Sequence, residues 1–457
     1  MNLAELIRPQ LELLPPTGTL WVGFSGGLDS AVLLHLLTQQ PELKPRLKAI
    51  HVHHGLSHNA DAWLQHCQQQ CDAWQVPFQA EKVQLTNMKD GVEQAARTAR
   101  YSAYKKHCQA GDSLLLAQHA DDQLETFFMR LLRGAGLSGL TAMATQRSLS
   151  KTENNLTNNS TDTISLLRPL LGISRAQLEQ YAQTEQLTWV EDESNQDSKF
   201  ERNWWRNELL PIIWQKFPQR KNSVLRSIQQ LQQDHLLLTE LLQPKIDQAC
   251  SAWNWPHCLP VALSLSELKN LPEHYWPYIA RGWLQKNSLM QPSQQWLSQL
   301  FSTVVNAQAD AKSALTIADW QVMRHKNFIF IVHSQVCEEL KVKEKAINLV
   351  VNQSYSWAGG IIRTSESSSI LGENSLGLAT GSYTLTTAKA VRGQKITPKG
   401  RPSKTVKALL QEANIPAVLR DNWPVLLQQQ QLVAIIDVAQ AEHALVTQGL
   451  VLSYSTV

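Results

Sequence analysis

The stretch "LWVGFSGGLDSAVLLHLL", residues 20–37, sets an apolar run, a Ser-Gly-Gly turn, one carboxylate and a helical pattern end to end. Two further short apolar runs, "KAIHVHH" at 48–54 and "SLLLAQH" at 113–119, also give way to polar segments. Such runs read as strands buried on both faces, as in a parallel sheet. Between them, residues 30–38, 60–74, 92–109 and 121–133 repeat apolar positions at spacings of three and four, which predicts helices; another strand is expected near 78–85. The alternation predicts a doubly wound α/β domain, in which ligands bind beyond the carboxyl ends of the strands. "SGGLDS", "HHGLS" and "AQHADDQ" all fall at such ends, so three segments far apart in the chain are expected on one rim.

The pattern then changes. "KTENNLTNNSTDT", 151–163, has almost no large apolar group and reads as a mobile excursion. The chain returns at "LLRPLLGISRAQLEQYAQ", where Ser174 is placed to cap a helix. From about 220, Gln- and Leu-rich text such as "SVLRSIQQLQQDHLLLTELLQ" predicts a helical second domain. After about 340, short β-like runs, a helix in "KTVKALLQEANIP" and a hairpin in "LLQQQQLVAIIDVA" predict a small mixed α/β domain. The expected divisions are 1–217, 218–340 and 341–457.

Composition adds limits. At 457 residues the chain is long enough for two to four domains, and its 18% charged and 43% hydrophobic residues are ordinary for a folded protein. A net charge of +3 is small for this length, so any nucleic-acid contact must rest on locally concentrated basic residues. The six cysteines form no disulfide framework and no C-x-x-C pair, and read as reduced, mostly buried thiols. Glu5, Arg8, Glu12 and prolines interrupt the first twenty residues, and no run approaches a membrane span. A cytoplasmic protein without membrane contact is expected.

The turn Ser25, Gly26, Gly27, Leu28, Asp29, Ser30 follows a strand and opens a helix, so backbone N–H groups point outward with partial positive charge. Phosphate suits that turn: the glycines allow close approach and the hydroxyls add donors. The turn has neither the Lys-Ser/Thr pair of a Walker loop nor G-x-G-x-x-G. Asp29 beside a phosphate is repulsive unless a divalent cation intervenes, which makes it a candidate metal ligand. His119, Asp122 and Glu125, at spacings of three, share one helix face, as do Arg97 and Arg100 on the preceding helix. Singly, such residues read as surface ion pairs and helix caps; jointly at one rim, they read as a site. The imidazoles of "HVHHG" do not read as a zinc site, because strand alternation sends His53 and His54 to opposite faces. The tryptophans of "NWW" and "WNWP" read as packing residues before base-stacking ones.

"SGGLDS" resembles the signature of the PP-loop pyrophosphatases, whose members adenylate a carbonyl-like oxygen with ATP and release pyrophosphate. "HVHHGLS", "RTARYSAY", "AQHADDQLET", "RGAGLSGL", "RPLL", "WVEDESN" and "RNWWRNELLP" follow in the order found in the bacterial tRNA(Ile)-lysidine synthetase family. The resemblance covers most of the chain and is most specific over its first 215 residues or so; His53 departs from it, standing where many relatives carry Asp. It implies a PP-loop catalytic domain over 1–217, a substrate-recognition segment over 218–340 and a tRNA-binding domain over 341–457. The implied reaction uses ATP and Mg²⁺ to adenylate the wobble cytidine of tRNA(Ile) with a CAU anticodon, after which free L-lysine displaces AMP at carbon 2.

On this reading Asp29, Arg100, His119, Asp122 and Glu125 are the candidate catalytic residues, Asp122 or Glu125 orienting the lysine ammonium or helping remove its proton. The resemblance places Arg100 and Asp122 at the cytidine and the reaction centre. Arg97, Arg202, Asn203 and Arg206 are candidate substrate contacts. "KAVRGQKITPKGRPSKTVK", 389–407, has seven basic residues and no acid; Lys399, Arg401, Lys404 and Lys407 are expected to hold tRNA phosphates at a distance from the anticodon. A homodimer is left open. Three other readings stand beside this one. An amide-forming synthetase using glutamine would need an amidotransferase domain with an N-terminal or triad cysteine, and the sequence shows none. A tRNA thiolase calls for a reactive cysteine pair near the motif, and none is evident in sequence; an ATP-binding protein without turnover would not need the "AQHADDQ" rim.

Overall fold

The computed structural model describes residues 3–55, 57–85, 91–150, 163–307, 313–337, 343–358, 360–366, 376–447 and 449–456. Its contacts divide the chain into two compact units, residues 1–240 and 241–457. The polar segment 151–162 lies outside the described residues.

The first unit opens with α1 (Leu3–Leu11), then alternates β1 (Leu20–Gly23), α2 (Leu28–Thr38), β2 (Leu47–His53), α3 (Ala60–Trp74), β3 (Phe78–Lys82), α4 (Val92–His107), β4 (Ser113–Leu115) and α5 (Ala120–Leu132). After α6 (Leu137–Leu140) come β5 (Gln146–Ser150), β6 (Thr163–Leu167) and α7 (Arg175–Thr184). Among the described residues the strands lie in the order β3-β2-β1-β4-β6-β5, and all pairs are parallel except the edge pair β5–β6. The observed β4 is shorter than the apolar run 113–119, because the chain leaves the sheet toward the start of α5.

One face of the sheet buries Leu20, Val22 and Leu115 against Ile7, Leu33, Leu37, Cys67 and Leu178, drawn from α1, α2, α3 and α7. The other buries Trp21, Ile50, Leu114 and Leu166 with Tyr104 of α4 and Leu149 of β5. Strand order runs outward from β1 in one direction and from β4 in the other, so their carboxyl ends border a crevice where the order reverses. "SGGLDS" and "AQHADD" leave the sheet at those two ends.

Beyond α7, the short helix α8 (Glu201–Trp204) continues through a π-turn, Trp205–Leu209, into α9 (Leu210–Lys216), followed by α10 (Arg220–Ala249). Leu124 of α5 and Ile228 of α10 are buried together, with Phe127 and Trp214 against them.

The second unit carries the expected helices, α11 (Leu265–Lys269), α12 (Trp276–Lys286) and α13 (Gln294–Leu300), and also a five-stranded antiparallel sheet that the sequence reading did not anticipate. Its strands include Val261–Ser264, Trp320–His325 and Phe328–His333. "FIFIVH" at 328–333 is a short apolar run with the β-branched and aromatic content of a buried strand. Farther on, Pro424–Gln428 and Gln431–Ile435 form the expected hairpin, and Val406–Glu412 is the expected helix, capped by Thr405. No helix among the described residues is long and apolar enough to cross a membrane.

Candidate active site

Three helix N-termini meet at the crevice, and they are finished differently. His119 caps α5 by accepting the Asp121 N–H (3.2 Å), while Asp122 Oδ2 reaches back to the His119 N–H (2.9 Å). Ser174 caps α7 in the same reciprocal way with Gln177. At α2 the capping position is Gly27, and no side chain caps the helix. The first N–H groups of α2 therefore stay available for an anion, which the local helix dipole favours.

The turn before α2 is braced from behind. Ser30 Oγ donates to the Gly27 carbonyl (2.9 Å), accepts the Ser25 N–H (3.2 Å) and lies 3.1 Å from Ser25 Oγ. Gly26 has φ +83°, and a Cβ there would stand 2.8 Å from Cys67 Sγ and 3.1 Å from Val190. Only glycine meets both demands. Cys67 thus does stand beside the turn, which the sequence reading missed. Burial pushes the thiols of Cys67 and of its i+4 neighbour Cys71 up to about 12, so both stay protonated near neutrality rather than forming a nucleophilic pair.

Asp29, on the first turn of α2, faces Arg175: the guanidinium Nη1 lies 2.8 Å from both carboxylate oxygens. His119 Nε2 lies 3.7 Å from Asp29 and 3.5 Å from Asp122. Burial pushes the Asp29 carboxyl upward, against the opposing pull of His119 and Arg175. Among the described residues no three His, Cys, Asp or Glu side chains are arranged to hold a metal ion by themselves. Magnesium is commonly held by one or two carboxylates completed by substrate phosphates, and Asp29 beside an uncapped helix start fits that donor set.

Deeper in the rim, Asp122 and Glu125 meet Arg202 and Arg206. Arg202 donates through Nη2 to Asp122 Oδ1 (2.6 Å) and through Nε to Glu125 Oε2 (2.7 Å). Arg206 donates through Nε to Glu125 Oε1 (2.6 Å) and through Nη2 to Asp122 Oδ1 (3.1 Å). Two acids three apart on α5 are laddered to two guanidiniums four apart on the segment from α8 into the π-turn. That segment is anchored by Trp205, buried and stacked on Phe128 of α5 at 5.7 Å; such a contact contributes about 1 kcal/mol. Burial alone would raise Asp122, but His119, Arg202 and Arg206 outweigh it and hold the carboxyl low. Asp121 is held low in the same way, by the Arg175 backbone N–H (2.9 Å) and the Lys221 ammonium.

The structure therefore brings Ser25–Ser30, Asp29, His119, Asp122, Glu125, Arg202 and Arg206 to one crevice. Asn203 turns away, donating to the Asp197 carbonyl (3.0 Å). Arg97 and Arg100 are exposed on α4: Arg97 lies over the Tyr101 ring (5.1 Å), and Arg100 helps burial depress the neighbouring His54 to about 4. Sequence reading missed Arg175 and Lys221. The capping position Ser174 points to the helix start that presents Arg175, but nothing in sequence pairs that arginine with Asp29, 146 residues earlier.

Of the histidines in "HVHHG", His51 Nδ1 lies 2.9 Å from the Phe24 carbonyl and His53 lies 3.3 Å from Asp61. In the second unit, Trp253 stacks on Phe330 (5.3 Å) and Trp255 meets Trp423 edge-on, so the "WNWP" rings pack. Of the candidate tRNA contacts, Lys399, Arg401 and Lys407 are exposed, while Lys404 pairs with Glu412.

An uncapped, glycine-built helix start at the switch point of a parallel sheet, with a carboxylate on its first turn, defines a PP-loop nucleotide-binding domain. A family model of that description, the PP-loop domain, matches residues 2–213, and models described as the TilS substrate binding domain and the TilS substrate C-terminal domain match 263–330 and 385–453. The chain is 35% identical to a tRNA(Ile)-lysidine synthase of Serratia proteamaculans over 434 residues, 94% of this chain and 93% of the relative. It is 32% identical to one of an Enterobacter species over 99% of this chain and 98% of the relative, and 37% identical to one of Haemophilus influenzae over 76% and 78%. The chain belongs to the tRNA(Ile)-lysidine synthase family.

Proposed function

We propose that this chain is the ligase that joins lysine to carbon 2 of the wobble cytidine in CAU-anticodon tRNA(Ile), consuming ATP and releasing pyrophosphate and AMP. The observation that carries this reading is the crevice itself: an uncapped phosphate-binding helix start and a buried acid–guanidinium ladder open on the same rim. The first is suited to a triphosphate, the second to an ammonium group and a polar base.

In the first step the cytidine oxygen at carbon 2 attacks the α-phosphorus of ATP, and pyrophosphate leaves. The N–H groups of Leu28, Asp29 and Ser30 and the Ser25 hydroxyl stabilise charge on the phosphates. Asp29 would hold Mg²⁺, which supplies Lewis-acid neutralisation of that charge. In the second step the lysine amine attacks carbon 2, and AMP departs with the oxygen. Asp122 and Glu125 orient the incoming ammonium and take part in removing its proton, since only the neutral amine is nucleophilic. Arg202 and Arg206 hydrogen-bond both carboxylates until the ammonium competes for them. Arg97 and Arg100 lie on the side from which the cytidine enters, and Asn203 steadies the loop behind Arg202. Lys399, Arg401, Lys404 and Lys407 grip phosphates remote from the anticodon, consistent with a division of labour over 1–217, 218–340 and 341–457. The substrates place the reaction in the cytoplasm.

The test is ATP-dependent incorporation of radiolabelled lysine into CAU-anticodon tRNA(Ile), with pyrophosphate release measured in parallel. Incorporation is the expected result. Pyrophosphate release without incorporation would leave the adenylating half of the reading standing and remove lysine as the nucleophile.

A further inference from the structure

Three arginines, Arg97, Arg147 and Arg168, gather at Tyr101 on the α4 side of the sheet, and a fourth, Arg130, lies near Arg97. Arg97 and Arg147 lie over its ring at 5.1 and 5.4 Å, one from α4 and one from the edge strand β5, and both are exposed. Arg168, one residue past β6, is 3% exposed and donates to Gln118 Oε1 (3.0 Å) and the Ala144 carbonyl (2.7 Å). Arg130 of α5 donates to the carbonyls of Gly139 (3.0 Å) and Ala142 (2.7 Å). Arg97 is close enough to both Arg130 and Arg168 to disfavour their charged forms.

None of the four has an ion-pair partner among the described residues. Carbonyls and an amide satisfy hydrogen-bond geometry but cancel no net charge. The contrast with Arg202 and Arg206, each shared between two carboxylates, is sharp. Gathering like charges without counter-ions costs free energy that a bound polyanion offsets.

We infer that Arg97 and Arg147, backed by Arg130 and Arg168, form a phosphate-binding surface for the single-stranded anticodon loop next to the modified cytidine. This rests on the proposed function and adds to it the route of the RNA. The triphosphate site opens from α2 on one face of the sheet; this surface lies on the opposite face, and Arg168 sits where β6 reaches the shared rim. The two substrates thus approach from opposite faces and meet at the crevice. A loop phosphate is the chemistry the surface fits, because the exposed guanidiniums give two fork-shaped donors and Tyr101 holds both in place.

The test uses Arg147→Gln in the full-length protein, with Arg147→Lys as the charge-retaining control and thermal melting to confirm folding. Direct binding of CAU-anticodon tRNA(Ile) is measured against salt, and KM is measured for tRNA and for ATP. Arg147→Gln is expected to weaken tRNA binding several-fold and to make the log–log salt slope shallower by about 0.7, the value for one lost single-strand phosphate contact. Arg147→Lys should restore most of the slope. An unchanged slope in the folded glutamine variant overturns the inference, as does a rise in KM for ATP in place of tRNA. Because binding is measured without turnover, failure here is distinct from failure of lysine incorporation.

Discussion

The acid–guanidinium ladder of the first unit and the basic segment of the second use charge in opposite ways. In the ladder, each carboxylate oxygen of Glu125 and Oδ1 of Asp122 meets a guanidinium, and Glu125 is 1% exposed. In the basic segment, Arg392, Lys395, Lys399, Arg401 and Lys407 stand exposed, with no ion pair among the described residues, while Lys404 is engaged by Glu412. Buried charge is worth something only in fixed geometry, where breaking a pair strands its partner. Exposed charge acts at a distance, tolerates loose geometry and is screened by salt. One arrangement fixes its charges in place and the other leaves them open to solvent.

The largest effect that would break this contrast is at the turn. Asp29→Ala should abolish tRNA-dependent pyrophosphate release, a loss of at least about 100-fold for removing a transition-state contact; release at the normal rate would remove Asp29 from the first step. Glu125→Ala comes next. It leaves Arg202 and Arg206 partly unpaired and should cost about 3 kcal/mol of stability, read as a lower denaturation midpoint together with lost lysine incorporation. An unchanged midpoint would mean the ladder is solvated in practice.

Arg401→Ala with Lys404→Ala should leave the midpoint near its original value, weaken tRNA binding and reduce the salt slope by up to about 1.8. Arg401→Ala alone should account for the larger share, because Lys404 is already neutralised by Glu412. Equal shares would show that the Lys404 pair opens freely. The smallest expected effect is at His54, whose pKa is depressed to about 4 chiefly by burial and then by Arg100. Between about pH 6.5 and that value the unfolded chain binds the extra proton, so stability falls as pH drops through this window. His54→Asn should flatten this part of a melting-temperature profile, and an unchanged profile would remove the assigned contribution.

Much of the rim could be read in advance because a parallel sheet writes itself into short apolar runs that stop where ligands bind. The starts of α2 and α5 fall within two residues of the sequence expectation. What stayed hidden depends on pairing across distance. Arg175 with Asp29, and Cys67 under Gly26, are tertiary contacts with no local signature. Arg202 and Arg206 were visible as candidates, but not their engagement with Asp122 and Glu125, since i,i+4 spacing names a face without naming what it meets. The sheet in the second unit was obscured because its strands are short and interleaved with helices whose Gln- and Leu-rich text dominates the pattern.

The order of these residues along the chain bears on how the protein is made. Asp29, Asp121, Asp122 and Glu125 all precede Arg175, Arg202, Arg206 and Lys221, the arginines and lysine that neutralise them. During synthesis the acids leave the ribosome first, and domains generally fold from the N-terminus as they emerge. A nascent chain stopped before residue 175 can pair its sheet strands but lacks these cations. Closure of the crevice must wait for the helices that follow the sheet, so a truncated product would present an open acidic rim in place of a half-made catalyst.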